Sequence, residues 1–89
     1  MTQFDQKKLY REFIAHLEQL SGPKEIEEFL NAILTPKEIE ELPRRLQVVK
    51  LLKSGMPQRE ISELLGVGIA TVTRGAKVLN SKAFENLES

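Results

Sequence analysis

Apolar residues recur at three- and four-residue steps through most of this chain, and short runs of proline, glycine and serine interrupt them. That rhythm belongs to amphipathic helices, and no segment shows the two-residue alternation of a half-buried strand. The first helix is expected over 4–20, with Leu9, Tyr10, Phe13, Ile14, Leu17 and Leu20 as a wide apolar stripe. Ser21-Gly22-Pro23 breaks it, and a second helix follows over 24–34 with Ile26, Phe29, Leu30 and Ile33 inward. Glu25, Glu27 and Glu28 enrich its start, as the helix macrodipole favours. Thr35-Pro36-Lys37-Glu38 is a strong start signal, combining a capping residue, a first-turn proline and the glutamate of a capping box. The third helix runs to about Lys53 on Ile39, Leu42, Leu46, Val49 and Leu52, broadened by Val48 and Leu51. Pro43 falls inside it and is expected to kink it or split it in two.

The chain is organised around the next stretch, residues 56–79. Ile61, Leu64 and Leu65 give 57–65 an apolar face, Pro57 suits the first turn, and Gly66 suits a left-handed end. After Gly66-Val67-Gly68 a further helix places Val72, Ala76 and Leu79 inward, with Val67 filling the gap between the two. This is the build of a helix-turn-helix, whose second helix enters the DNA major groove. An αα-corner in an ordinary core has the same outline. The outward residues favour DNA: Ile69, Ala70, Thr73, Arg74 and Lys77 are small, hydroxylated or basic, and none is acidic. Small residues let the backbone approach base edges, and Thr73 and Lys77 suit phosphate oxygens. Gln58 and Arg59 reach the flanking backbone or a base. Beyond Asn80-Ser81 a short frayed helix is expected over 82–87.

Charge sharpens this picture. The 89 residues carry no net charge, but the distribution is uneven. Between Arg44 and Lys82 there are eight basic residues against Glu60 and Glu63, a local excess of six positive charges. Residues 1–43 carry five basic and nine acidic residues. A basic segment coincident with the helix-turn-helix is an electrostatic footprint for phosphate. There is no cysteine, and His16 is the only histidine, so neither a metal centre nor nucleophilic catalysis is expected. His16 reads as a boundary residue beside the first stripe. Gly66-Val67-Gly68 joins two helices and is no strand-to-helix phosphate loop. No run is apolar enough for a membrane span, and nothing at the start has the apolar core of a signal peptide, so a cytoplasmic protein is expected.

Gly75 is the oddity, because a mid-helix glycine costs about 1 kcal/mol relative to alanine. It either opens a gap beside Arg74 or serves close helix packing. A void flanked by the guanidinium groups of Arg74 and Arg45 suits a planar aromatic anion.

At these residues a resemblance enters. Leu34-Thr35-Pro36, Arg45, Gln58-Arg59-Glu60 and the run Gly68-Ile69-Ala70-Thr71-Val72-Thr73-Arg74-Gly75 resemble the tryptophan operon repressor family, over about residues 34–80. The first two helices match only in pattern. The resemblance implies an all-α, six-helix, intertwined homodimer that binds L-tryptophan as corepressor, without a metal, and then a palindromic operator in double-stranded DNA. It implies that Arg45 and Arg74 sandwich the indole, that Gly75 leaves it room, and that Thr71 and Val49 line the pocket. Backbone carbonyls near Leu34 and Thr35 of the partner subunit would hold the ammonium group. Arg59 would contact a guanine, Gln58 and Thr73 phosphates, and the amides at Ile69 and Ala70 bases through water. A two-fold dimer sets its reading heads about 34 Å apart, one turn of DNA, a geometry this family itself exemplifies.

The chain departs from the family pattern at Val78, where a serine is usual, at Pro43 just before Arg45, and in a link from Val49 to Met56 one residue shorter than in the enterobacterial repressors. The expected organisation is a single domain, with dimerisation helices over 1–55, the helix-turn-helix over 56–80 and a tail over 81–89. The expected function is a tryptophan-responsive transcriptional repressor of tryptophan biosynthesis or transport genes. The alternatives are a related DNA-binding regulator with another effector or none, and a helical protein-interaction adaptor.

Overall fold

A computed structural model describes residues 4–88. Five α-helices follow one another: α1 Gln6–Gln19, α2 Gly22–Ile33, α3 Pro36–Lys53, α4 Gln58–Leu65 and α5 Ile69–Val78, with a 3-10 turn at Lys82–Phe84. The described residues form no strand. The fold is therefore all-α, as the periodicity requires, with the sixth helix reduced to a single turn. The chain divides into two compact units between Thr35 and Pro36.

In the first unit, Asp5 caps α1, its carboxylate accepting the Lys7 N–H at 3.0 Å. The helix stops at Leu20, whose N–H donates to the Leu17 carbonyl. α2 starts two residues earlier than the periodicity suggests. Pro23 lies in its first turn, where a missing N–H costs nothing. Glu25 reaches back to accept the Ser21 N–H at 3.0 Å, while the Ser21 side chain makes no capping bond. The Phe29 ring meets Phe13 at 6.0 Å and His16 at 4.8 Å between centroids, so His16 does border the apolar stripe. Neither helix contains a buried residue.

The second unit has a core. Val48 from α3, Ile61 from α4 and Val72 from α5 are buried against one another, with Leu51, Leu52, Met56, Leu65 and Val67 packed around them. Burying a side chain such as Ile61 fully contributes roughly 1.5–3 kcal/mol. α3 continues through Pro43 without splitting. Proline forfeits one backbone hydrogen bond, and the good helix formers on both sides keep the rest of the helix. The α3 stripe is shared between two tasks: Val48, Leu51 and Leu52 serve the core, while Leu42 and Leu46 stay substantially exposed.

Between α4 and α5 the chain reverses at Gly66, whose φ of 65° is left-handed and closes α4 without a Cβ clash. The Ser62 hydroxyl donates to the Val67 carbonyl at 2.6 Å and fastens the turn to α4. Pro57 caps α4 from outside rather than opening it. Leu64, expected on the inner face beside Ile61 and Leu65, is instead 63% exposed. The short α4 sends Ile61 and Leu65 to the core and leaves Leu64 outside it.

Candidate functional site

The turn at Gly66–Gly68 turns α5 so that one stripe faces α3 and another faces solvent. Gln58, Arg59, Ile69, Ala70, Thr73 and Lys77 are all exposed. The Thr73 hydroxyl donates to the Gln58 side-chain oxygen at 3.2 Å, linking the first turn of α4 to the middle of α5. These two expected phosphate contacts therefore lie side by side. Among the described residues the ion pairs are Arg44–Glu40 at 4.0 Å and Arg45–Glu41 at 3.7 Å. Arg59, Arg74 and Lys77 take part in neither, so their charge is available to an anion.

The other stripe of α5 lines a groove. Thr71, Arg74, Gly75 and Val78 face Leu42, Arg45, Leu46 and Val49 of α3, and Phe84 joins them, around a volume of about 550 Å³. Both stripes step by three and four residues, so each helix contributes one straight row. Their contacts advance together. Glu41 and Arg45 share a smaller polar cleft with Gly66, Val67, Gly68 and Thr71. Val48 and Leu52 lie beside Gly75, and Lys53 is bonded to the Phe84 carbonyl. α3 and α5 thus run in register, with Arg45 beside Thr71 and Lys53 beside the turn that carries Phe84.

The structure brings together five of the residues expected to surround a ligand: Arg45, Val49, Thr71, Arg74 and Gly75. Leu34 and Thr35 belong to the first unit, and the role expected of them concerns the partner's groove. The Arg45–Glu41 pair is exposed and i,i+4, a class worth well under about 1 kcal/mol, so it opposes recruitment of Arg45 only weakly.

Gly75 lines the groove and also lies against α3. A Cβ there would lie 2.7 Å from Val48 Cγ1 and 3.4 Å from Leu52 Cδ1. The space left by the missing side chain is therefore taken by α3. The glycine permits close helix approach, and this proximity is also what sets the width of the groove. The two readings of Gly75 that stood apart in the sequence meet in one residue.

Sequence reasoning missed Phe84. It is the only aromatic residue after Thr35, and Leu87 follows it at helical spacing. That apolar pair was the available signal that the segment docks.

Among the described residues, no group of three or more histidine, cysteine or carboxylate side chains is placed to hold a metal ion, and no helix is long and apolar enough to cross a membrane.

A family model described as Trp repressor protein matches residues 8–86. A Trp operon repressor homolog of Vibrio vulnificus is 45% identical over 64 residues, covering 71% of this chain and 63% of the relative. A homolog from Vibrio parahaemolyticus is 48% identical over 58 residues, with 64% and 56% covered. One from Haemophilus influenzae is 34% identical over 70 residues, with 78% and 69% covered. The matched part of the chain thus spans less than two thirds of the length of these Vibrio relatives.

Proposed function

The chain belongs to the Trp repressor family, and on that premise we propose that it is a homodimeric, sequence-specific DNA-binding repressor, acting in the cytoplasm with L-tryptophan as corepressor. The family is one of transcription regulators, not enzymes. The observation that carries the reading is the double use of α5. Thr71, Arg74, Gly75 and Val78 line the groove, while Ile69, Ala70, Thr73 and Lys77 of the same helix face outward.

An aromatic amino acid in the groove touches α3 and the reading helix together. Its ring stacks between the guanidinium planes of Arg45 and Arg74, and its carboxylate pairs with their charge. A ligand wedged there favours one setting of α5 over others, which is a population shift driven by tighter binding in the DNA-competent state. In the dimer, two such helices meet successive major grooves about 34 Å apart, the docking this family exemplifies. Arg59 reads guanine, Gln58, Thr73 and Lys77 hold phosphates, and the start of α5 at Ile69 and Ala70 approaches base edges. Carbonyls near Leu34 and Thr35 of the partner subunit receive the ammonium group. The regulated genes are those of tryptophan biosynthesis or transport.

The test is L-tryptophan binding followed by the ligand's own fluorescence, since the protein contains no tryptophan. The expected result is saturable binding of one ligand per subunit, lost in Arg74→Ala. Binding to duplex DNA selected from a random pool is expected to strengthen with tryptophan and to weaken steeply with salt. DNA binding that ignores tryptophan at millimolar concentration would favour a second reading, a regulator of the same fold with another effector or none. Val78 supports that second reading, because it puts an aliphatic side chain in the groove wall.

A further inference from the structure

The groove has a wall that neither row of helical residues supplies. Phe84 comes from the 3-10 turn after α5, is half-buried, and is the only aromatic side chain lining the cavity. It is held by more than its own turn. Lys53, in the last turn of α3, donates from Nζ to the carbonyl of Phe84 and, at 3.2 Å, to that of Leu87. The turn is bonded internally as well, Phe84 N–H to the Ser81 carbonyl and Leu87 N–H to the Phe84 carbonyl, each at 3.1 Å. A cation on two carbonyls from adjacent turns is a charge-assisted clip, stronger than neutral bonds of the same length. The clip anchors the turn to α3, the helix that supplies the opposite row of the groove.

We infer that Phe84 is a specificity-determining residue of this groove, packing against the ring of an aromatic carboxylate ligand, and that Lys53 is its positioning residue. The inference rests on the proposed tryptophan reading and adds to it a contact from outside the helix-turn-helix. The chemistry of the lining agrees. It offers two guanidinium groups, one hydroxyl and one aromatic ring, and no carboxylate. The cations take the ligand's negative charge, and the Phe84 ring gives its aromatic body an edge-to-face or offset neighbour. The volume of about 550 Å³ lies within the range of small-molecule sites. Because Phe84 comes from the chain beyond α5 and belongs to neither row, it limits the room left to a ring between them.

Fluorophenylalanine labelling tests this in the full chain. The sequence contains four phenylalanines, so the fluorine spectrum is simple, and the signal absent from Phe84→Leu is that of Phe84. Saturating L-tryptophan is expected to shift it along the same titration curve as the ligand's own fluorescence. Phe84→Ala and Lys53→Met are each expected to weaken L-tryptophan about tenfold, the scale of one lost aromatic contact. Lys53→Arg retains the donor and is expected to restore both affinity and shift, which a mere loss of folding would not allow. A Phe84 signal that stays still at saturation, or Phe84→Ala binding like the parent, overturns the inference and leaves the tryptophan reading intact. A parent protein whose addition leaves tryptophan fluorescence unchanged overturns that reading and this inference together.

Discussion

The two units of this chain are both helical and both amphipathic, yet they bury their apolar faces differently. From Pro36 onward, three helices close around Val48, Ile61 and Val72. Before it, α1 and α2 present a stripe at least as regular and bury no residue. Tyr10 and Ile33 remain more than half exposed. The charge differs in the same sense: four basic and six acidic residues up to Thr35, nine and seven from Pro36 on. The lesson is that amphipathicity specifies a helix and a face but not what covers the face. One unit carries its own cover and the cations suited to phosphate. The other is suited to a second copy of the chain, as the proposed intertwined dimer requires.

The contrast can be broken most decisively by dilution. On the proposed homodimer, hydrogen exchange at falling protein concentration is expected to lose protection in α1 and α2 before α4 and α5, since stability supplied by association follows mass action. Equal protection at every concentration would erase the distinction. Next in size is Ile61→Ala, which removes the largest fully buried side chain of the second unit and should cost about 3 kcal/mol in denaturant unfolding at fixed protein concentration. Ile33→Ala in α2 is expected to cost much less in any measurement that leaves the dimer dissociated. Gly75→Val should follow, at about 2 kcal/mol, because the new side chain meets Val48 and overpacks the α3–α5 contact. A neutral result there would mean that α3 and α5 separate easily. Smallest is Asp5→Ala, expected to cost about 1 kcal/mol through loss of the α1 cap and to show as faster exchange at the Lys7 amide.

Much of the fold was legible in the chain. The five helices lie where the periodicity puts them, and Pro36 and Gly66 mark boundaries because each has a backbone preference that acts locally. The misses have a common cause. Leu64 fits the apolar face of α4 in projection, but α4 is only eight residues long and of that face only Ile61 and Leu65 reach the core. Leu42 and Leu46 fit the α3 stripe and line a groove instead of a core. Pro43 carries a real local penalty that the rest of an eighteen-residue helix outweighs. Each depends on what lies opposite, and a one-dimensional pattern does not contain that.

The candidate site divides along the same line. Residue type and spacing alone determined that Arg59, Thr73 and Lys77 face outward on a helix-turn-helix, because helical geometry converts spacing into direction. They also determined that Arg45 and Arg74 are the cations to consider for an aromatic anion. Only the tertiary structure decided that Gly75 serves contact with Val48, that Thr73 and Gln58 are hydrogen-bonded neighbours, and that Phe84 forms part of the groove. These are relations between residues far apart in the chain. They are set by which faces pack together and how closely, and packing is a property of the assembled helices rather than of any one of them.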